Sequence, residues 1–188
     1  MDKTIDKQKQ TVSSTKRLVG TAVFSALAYV VSMLEFPIFP ATPFLKLDFS
    51  AVFLLLSGFI FGTVYGIGAC AVKELICFMT KSSTGGVGEL ANFLVISAFV
   101  VVPTLVYHYR KGIKVVILTL VIACFVQVAL SLLAHGCITF PLYMGAGAKP
   151  FFQSVWQFVA LFNLIKSVAV SLITILLYKK LSAFIKSI

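Results

Sequence analysis

The chain has 188 residues, of which 60% are hydrophobic and 12% charged, against roughly 25% charged in soluble domains. That balance excludes an ordinary soluble enzyme and reads as an all-α membrane protein. The net charge of +10 does not point to nucleic acid, because the basic residues stand at the ends of apolar runs and form no basic face.

The first 17 residues are polar and carry Lys3, Lys7, Lys9, Lys16 and Arg17. The apolar run Leu18 to Leu34 that follows is too long for a signal-peptide core and has no small-residue cleavage site before Glu35. It is expected to be the first membrane span. The next segment, "EFPIFPATPFLKLDFS", holds Pro37, Pro40 and Pro43 together with Phe36, Phe39, Phe44 and Leu45. Prolines fix backbone angles and block helix, so a semi-rigid, extended, apolar lid is expected on the external face.

The run Phe49 to Met79 is too long for one crossing, since about 20 residues at about 1.5 Å each cover a hydrocarbon core of roughly 30 Å. Its middle, "GFIFGTVYGIG", offers glycines 58, 62, 66 and 68 for a tight reversal. The same ladder also fits small-xxx-small helix packing. Lys73 and Glu74 lie near the end of this run. As helical neighbours they point about 100° apart, so they are not expected to pair with each other, and Lys73 can snorkel toward the surface.

The polar stretch "KSSTGGVGELANF" then supplies Gly85, Gly86 and Gly88, which allow a backbone to approach a bound molecule closely. Glu89 and Asn92, three apart, share one face at the start of the span Leu90 to Tyr107. Glu89 reads equally as a first-turn acid favoured by the helix dipole. No G-K-[ST] follows the glycines, so the chain has no nucleotide-binding loop with which to hydrolyse ATP.

After "HYRKGIK" comes the span Ile113 to Ala134. His135 stands before the loop "GCITFPLYMGAGAKP" as either a ligand contact or an interface residue. In the last span, Phe151 to Tyr178, "LFNLIKSV" places Asn163 and Lys166 three apart on one helical face. Ionisable groups inside a bilayer cost roughly 3 kcal/mol on insertion scales and normally face a cavity or a partner. Asn163 and Lys166 are therefore the strongest binding candidates. Of the four cysteines, Cys70, Cys77 and Cys124 lie inside apolar segments and Cys137 outside, with no C-x-x-C pair. They read as packing residues, with no metal site.

Splitting the long run gives six transmembrane helices with both termini cytoplasmic. Five basic residues then lie in the N-terminal tail, three in "HYRKGIK" and three at the C-terminus, eleven of the sixteen Lys and Arg on one side. Only Lys46, Lys81 and Lys149 fall outside. The expected organisation is a cytoplasmic tail 1–17, a six-helix substrate-binding domain 18–180 and a cytoplasmic tail 181–188. An apolar lid beside a Gly-rich loop and a few buried polar groups describes a pocket for a flat, partly aromatic molecule with polar edges.

"FPIFPATPFLKLDFSAVFLLLSGFIFG", "TGGVGELANFL", "FPLY" and "FNLIKS" occur in an order and spacing that resembles the RibU-type riboflavin-binding S components of energy-coupling factor (ECF) transporters, from Arg17 to Lys180. The resemblance implies a non-catalytic subunit in the cell membrane that binds riboflavin as substrate, needs no cofactor, and works with a transmembrane scaffold subunit and two ABC-type ATPases. It assigns the uracil-like ring edge to Asn163 and Lys166 and the ribityl hydroxyls to Glu89 and Asn92. Leu45 and His135 complete the site, with the Lys166 charge offset by Glu89 or by dipoles. Members of the family often carry Asn where this chain has His135, whose protonation would make binding depend on pH. The A-x-x-x-A face that docks on the scaffold subunit corresponds to Ala22 and Ala26, for which generic packing is the alternative. An S component for thiamine or biotin, or a flavin mononucleotide importer, would keep the architecture. An intramembrane enzyme would need paired catalytic groups, and neither H-E-x-x-H nor G-x-S-x-G occurs.

Overall fold

The computed structural model describes residues 2–187, with side chains over 14–178 and at Lys180. The side chains of Lys3, Lys7, Lys9, Lys179 and Lys186 lie outside the described set. The order is α1 (Asp2–Ser32), β1 (Phe36–Pro37), β2 (Lys46–Leu47), α2 (Ser50–Phe61), α3 (Thr63–Lys81), α4 (Val87–Tyr109) and α5 (Ile113–Ala134). A π-helical turn (His135–Thr139), α6 (Phe140–Met144), a short 3-10 turn (Gly145–Gly147) and α7 (Ala148–Ser187) follow.

Three helical stretches among the described residues are long and apolar enough to cross a membrane: Thr63–Lys81, Val87–Tyr109 and the run Ile113–Tyr178, with a shorter apolar helix at Ser50–Phe61. Large apolar side chains such as Leu118, Phe125, Leu172 and Leu176 face outward and are more than half exposed. Inside sit Ser57, Lys73, Glu74, Gln127, Asn163 and Lys166, all buried. An apolar exterior around a polar interior is the arrangement that hydrocarbon, unlike water, favours. Several helix hydroxyls are satisfied locally: Ser25 donates to the Thr21 carbonyl, Thr104 to Val100 and Thr119 to Val115, so these groups need no water.

The long run breaks at Gly62, whose φ of 111° is open to glycine and strained for other residues. Eight residues of continuous helix would separate Gly58 from Gly66 by about 12 Å. Instead a Cβ built on Gly66 falls 2.9 Å from the Gly58 Cα, so the chain doubles back. Both uses foreseen for the ladder coexist, with Gly62 making the turn while Gly58 and Gly66 permit close α2 to α3 contact.

Two expectations change. The proline segment is not extended throughout: it folds through turns at Phe39–Thr42 and Thr42–Leu45 and is closed by an antiparallel bridge pairing Phe36 with Leu47 and Pro37 with Lys46. The segment after His135 is helical where a loop was expected. Phe140 is buried and packs edge-on against Phe44 and Phe151 at centroid distances of 5.8 and 5.1 Å, which draws this segment onto the lid. Gly145, with φ 55°, then lets the chain reverse into α7. At the far end of the bundle, Tyr107 and Tyr178 share a hydroxyl contact of 2.9 Å beside Phe59.

Gly66→Leu is expected to lower the unfolding temperature in detergent, because the added carbons meet backbone and overpacking costs about 1 to 3 kcal/mol. Gly68→Ala, where an added Cβ meets nothing within 4 Å, serves as the control and should leave the melting curve unshifted or slightly raised.

Candidate functional site

A cavity of about 520 Å³ opens at the end of the bundle beneath the lid, within the size range of small-molecule sites. Every binding residue expected from the sequence lines it: Leu45 on the lid, Glu89 and Asn92 on α4, His135 on the π turn, and Asn163 and Lys166 on α7. Helical spacing explains the pairing on α7, since residues three apart stand on one face. The π turn alters the helical phase after α5 in the segment that carries His135 and Thr139, both of which line the cavity.

The polar floor differs from expectation in its partners. Lys166 pairs with Asp48, not Glu89: its Nζ lies 2.7 Å from Asp48 Oδ2, and both residues are about 5% exposed. Asp48 Oδ1 accepts from the Ser50 backbone N–H at 2.9 Å and from the Ser50 hydroxyl. Lys73 and Glu74 do pair, at 2.8 Å, and both are buried. Helical phase sets only where two Cα–Cβ bonds start; these long arms bend together where both line one cavity. Asn92 Nδ2 donates to Glu74 Oε1 at 2.5 Å, which ties α4 to α3. Asp48, Lys73 and Glu74 were not assigned from the sequence. An acid immediately before an apolar run reads as an ordinary helix-start signal, and only the fold brings it to Lys166.

Asn163 Oδ1 lies 3.5 Å from Gln127 Nε2 on α5, while its own Nδ2 donates to the Val159 carbonyl at 2.9 Å. Glu89 accepts from the Thr84 hydroxyl at 2.8 Å, and Thr84 Oγ1 in turn accepts from the Gly88 N–H. Glu89 thus secures the start of α4 as well as lining the cavity. Gly85 and Gly86, with φ of 58° and 93°, make the turn into α4; of the three loop glycines, Gly88 alone lines the cavity. His135 Nδ1 is 2.8 Å from the Ser131 carbonyl, and its ring packs on Phe140 at 5.5 Å.

Lid side chains divide by direction. Leu45 is buried, Phe44 lines the cavity and Phe39 packs on Phe158 at 5.7 Å, whereas Phe36 is half exposed. The lid is also held by charge: Glu35 accepts from Lys46 through Oε1 and from Lys81 through Oε2, each at 2.9 Å. Partial burial alone would raise the Glu35 carboxyl, but the two ammonium groups outweigh it and hold it below the usual carboxylate range. On α1, Ala22 and Ala26 are exposed, while Thr21, Ser25 and Ala28 turn inward. Packing within the bundle therefore does not explain the two alanines.

Because the carboxyl of Glu35 is lowered on folding, its contribution is present above the ordinary carboxylate range and disappears as pH falls through the lowered value. Glu35→Gln is expected to speed deuterium exchange of residues 36–47 several-fold at pH 7, with exchange in α5 unaltered. In the parent chain the same acceleration should set in only as the pH falls below the ordinary carboxylate range.

The family profile described as "ECF transporter, substrate-specific component" matches residues 16–178. The chain is 33% identical over 187 residues to the "Riboflavin transporter RibU" of Staphylococcus aureus (strain TCH60), covering 97% of this chain and 98% of that protein. It is 26% identical to the "Riboflavin transporter FmnP" of Bacillus subtilis (strain 168), covering 91% and 94%. A solved chain from "Structure and mechanism of the S component of a bacterial ECF transporter" superposes with a TM-score of 0.79 at 36% identity, over 92% of this chain and 99% of the other. With the profile spanning nearly all of the bundle and the solved S component sharing its fold, the chain belongs to the substrate-specific components of ECF transporters.

Proposed function

We propose that this chain is the riboflavin-binding S component of an ATP-driven importer in the cell membrane, capturing the vitamin from outside and delivering it together with a separate energising module. The observation that carries this reading is the charge balance of the cavity. Glu35, Asp48, Glu74 and Glu89 stand against Lys46, Lys73, Lys81 and Lys166, so the four acids and four lysines cancel. Bringing a net charge into such a site leaves it uncompensated, which is costly away from water. Riboflavin is neutral. Thiamine brings a cation, biotin a carboxylate and flavin mononucleotide a phosphate, so each fits this balance less well.

The side-chain chemistry suits the same ligand. The Asn163 amide offers an acceptor and donors to the carbonyl, N–H, carbonyl edge of the isoalloxazine ring, and Lys166 donates to a ring carbonyl or nitrogen. Glu89 accepts from ribityl hydroxyls with Asn92 beside it. Leu45 and Phe44 cover the flat apolar body, and His135 stands at the ring edge. Names of the relatives in Staphylococcus aureus and Bacillus subtilis, both riboflavin transporters, support the assignment.

In the membrane, α1, α2, α3, α4, α5 and α7 supply six spans, with both termini in the cytoplasm and the lid outside. The positive charges gathered in the N-terminal tail, around Arg110 and at the C-terminus favour this orientation. The exposed Ala22 and Ala26 let another helix approach closely, as docking on a transmembrane scaffold subunit requires. Two ABC-type ATPases complete the energising module, since the chain has no phosphate-binding loop of its own.

Protein purified from cells grown with riboflavin should be yellow, and titration should quench flavin fluorescence to saturation. Asn163→Ala and Lys166→Ala are each expected to weaken binding at least tenfold, the loss of a hydrogen bond worth about 1.5 kcal/mol or more. Excess thiamine or biotin should not compete. Normal binding by both variants would refute the site, and competition by thiamine would refute the ligand. Ala22→Leu and Ala26→Leu should leave binding intact while abolishing uptake by the assembled transporter; loss of both activities together would make the two alanines part of the fold. A reporter fused after Ile188 should read out as cytoplasmic.

A further inference from the structure

Asp48 occupies an unusual junction. It follows β2 directly, so it is continuous with the strand that closes the lid. Through Oδ1 it accepts the Ser50 N–H at 2.9 Å at the first turn of α2. Through Oδ2 it holds the Lys166 ammonium at 2.7 Å, 118 residues away in the chain. One carboxylate thereby joins the lid, α2 and α7, and both it and Lys166 line the cavity.

Other charged or titratable groups reach the cavity from the elements around Lys166: Lys73 and Glu74 from α3, Glu89 from α4 and His135 from the π turn. Glu74 is bound by Lys73 and by Asn92, and Glu89 is engaged by Thr84. Among the described residues Asp48 is the one ion-pair partner of Lys166. A lysine arm has many rotamers and no rigid fork, so its ammonium goes where its counter-ion is. The position of Asp48 is set in turn by the lid strand on one side and by the fixed start of α2 on the other.

We propose that Asp48 is a positioning residue that fixes the Lys166 ammonium in the cavity and makes its placement conditional on the docked lid, so that α7 grips the ligand only when the lid is closed. This rests on the riboflavin-binding reading of the same cavity. It differs from a plain capping role for Asp48, which would stabilise α2 whatever stands at position 166.

The test is a double-mutant cycle on the full chain in detergent, titrated with riboflavin by fluorescence quenching. Asp48→Asn keeps an oxygen for the Ser50 N–H but removes the charge, and should weaken binding at least tenfold. Lys166→Met should weaken it comparably, and Asp48→Asn combined with Lys166→Met should bind within about twofold of Lys166→Met alone, because interacting positions are non-additive. Multiplied losses in the double variant, or normal binding by Asp48→Asn, would overturn the proposal. If Asp48→Asn fails to fold with its lysine left unpaired, Lys166→Met and the double variant still decide, since the acid left alone by Lys166→Met can take up a proton and the double variant buries no charge at either position. An extra tenfold loss on adding Asp48→Asn to Lys166→Met would then refute positioning. Failure of the parent chain to bind riboflavin removes the ligand reading and this inference with it, whereas a saturating parent with an unaffected Asp48→Asn removes this inference alone.

Discussion

Lys166 and Asp48 carry opposite charges, both nearly inaccessible and 2.7 Å apart, in a bundle whose outer surface is apolar. Taking either ion out of water alone costs several kcal/mol, so each requires the other. The same requirement governs Lys73 and Glu74 on α3. Much of the site follows from meeting it. The lid must close where Asp48 can reach α7, α4 must approach α3 closely enough for Asn92 to bond Glu74, and the space left between these contacts is the cavity.

The two ends of the molecule are built from different chemistry. Around the cavity the contacts are ion pairs and hydrogen bonds that can be exchanged for bonds to a ligand. At the other end Tyr107, Tyr178 and Phe59 meet edge-on, and the tyrosine hydroxyls satisfy one another. These contacts are aromatic and hydroxyl only, with no ion pair among the three rings. The groups able to engage a bound molecule are thus gathered at the cavity end.

Positive-φ glycines make turns at both ends of the bundle, Gly62 and Gly112 away from the cavity and the others beside it. The latter make the turn from α3 into α4 and the reversal after α6, and the π turn carries His135 and Thr139. Irregular backbone at a membrane boundary is tolerated where it is buried in protein or lines a cavity. The lid meets that condition by its short β bridge, by the clamp of Glu35 on Lys46 and Lys81, and by the packing of Phe44 against Phe140 and Phe151.

Hydrophobic run length and glycine spacing by themselves determined the long helices, though not the helical segment after His135, together with the break within Phe49 to Met79 and the conjunction of Asn163 with Lys166, because these depend on local periodicity alone. Asn163, Lys166, Glu89 and Asn92 stood out as candidates because polar groups at or within apolar spans are few and each demands an explanation, whereas Leu45 came from the apolar lid and His135 from its place before the loop that follows α5. Only the tertiary structure decided who pairs with whom. Asp48 meets Lys166 across 118 residues, and Lys73 bends to Glu74 against the angle between their Cα–Cβ bonds. Glu89 is engaged by Thr84, and the Lys166 charge, expected to be offset by Glu89 or by dipoles, is met by Asp48. Spacing along the chain carries no information about charges that meet through space, and in a dry interior the nearest available counter-ion settles where each long side chain ends.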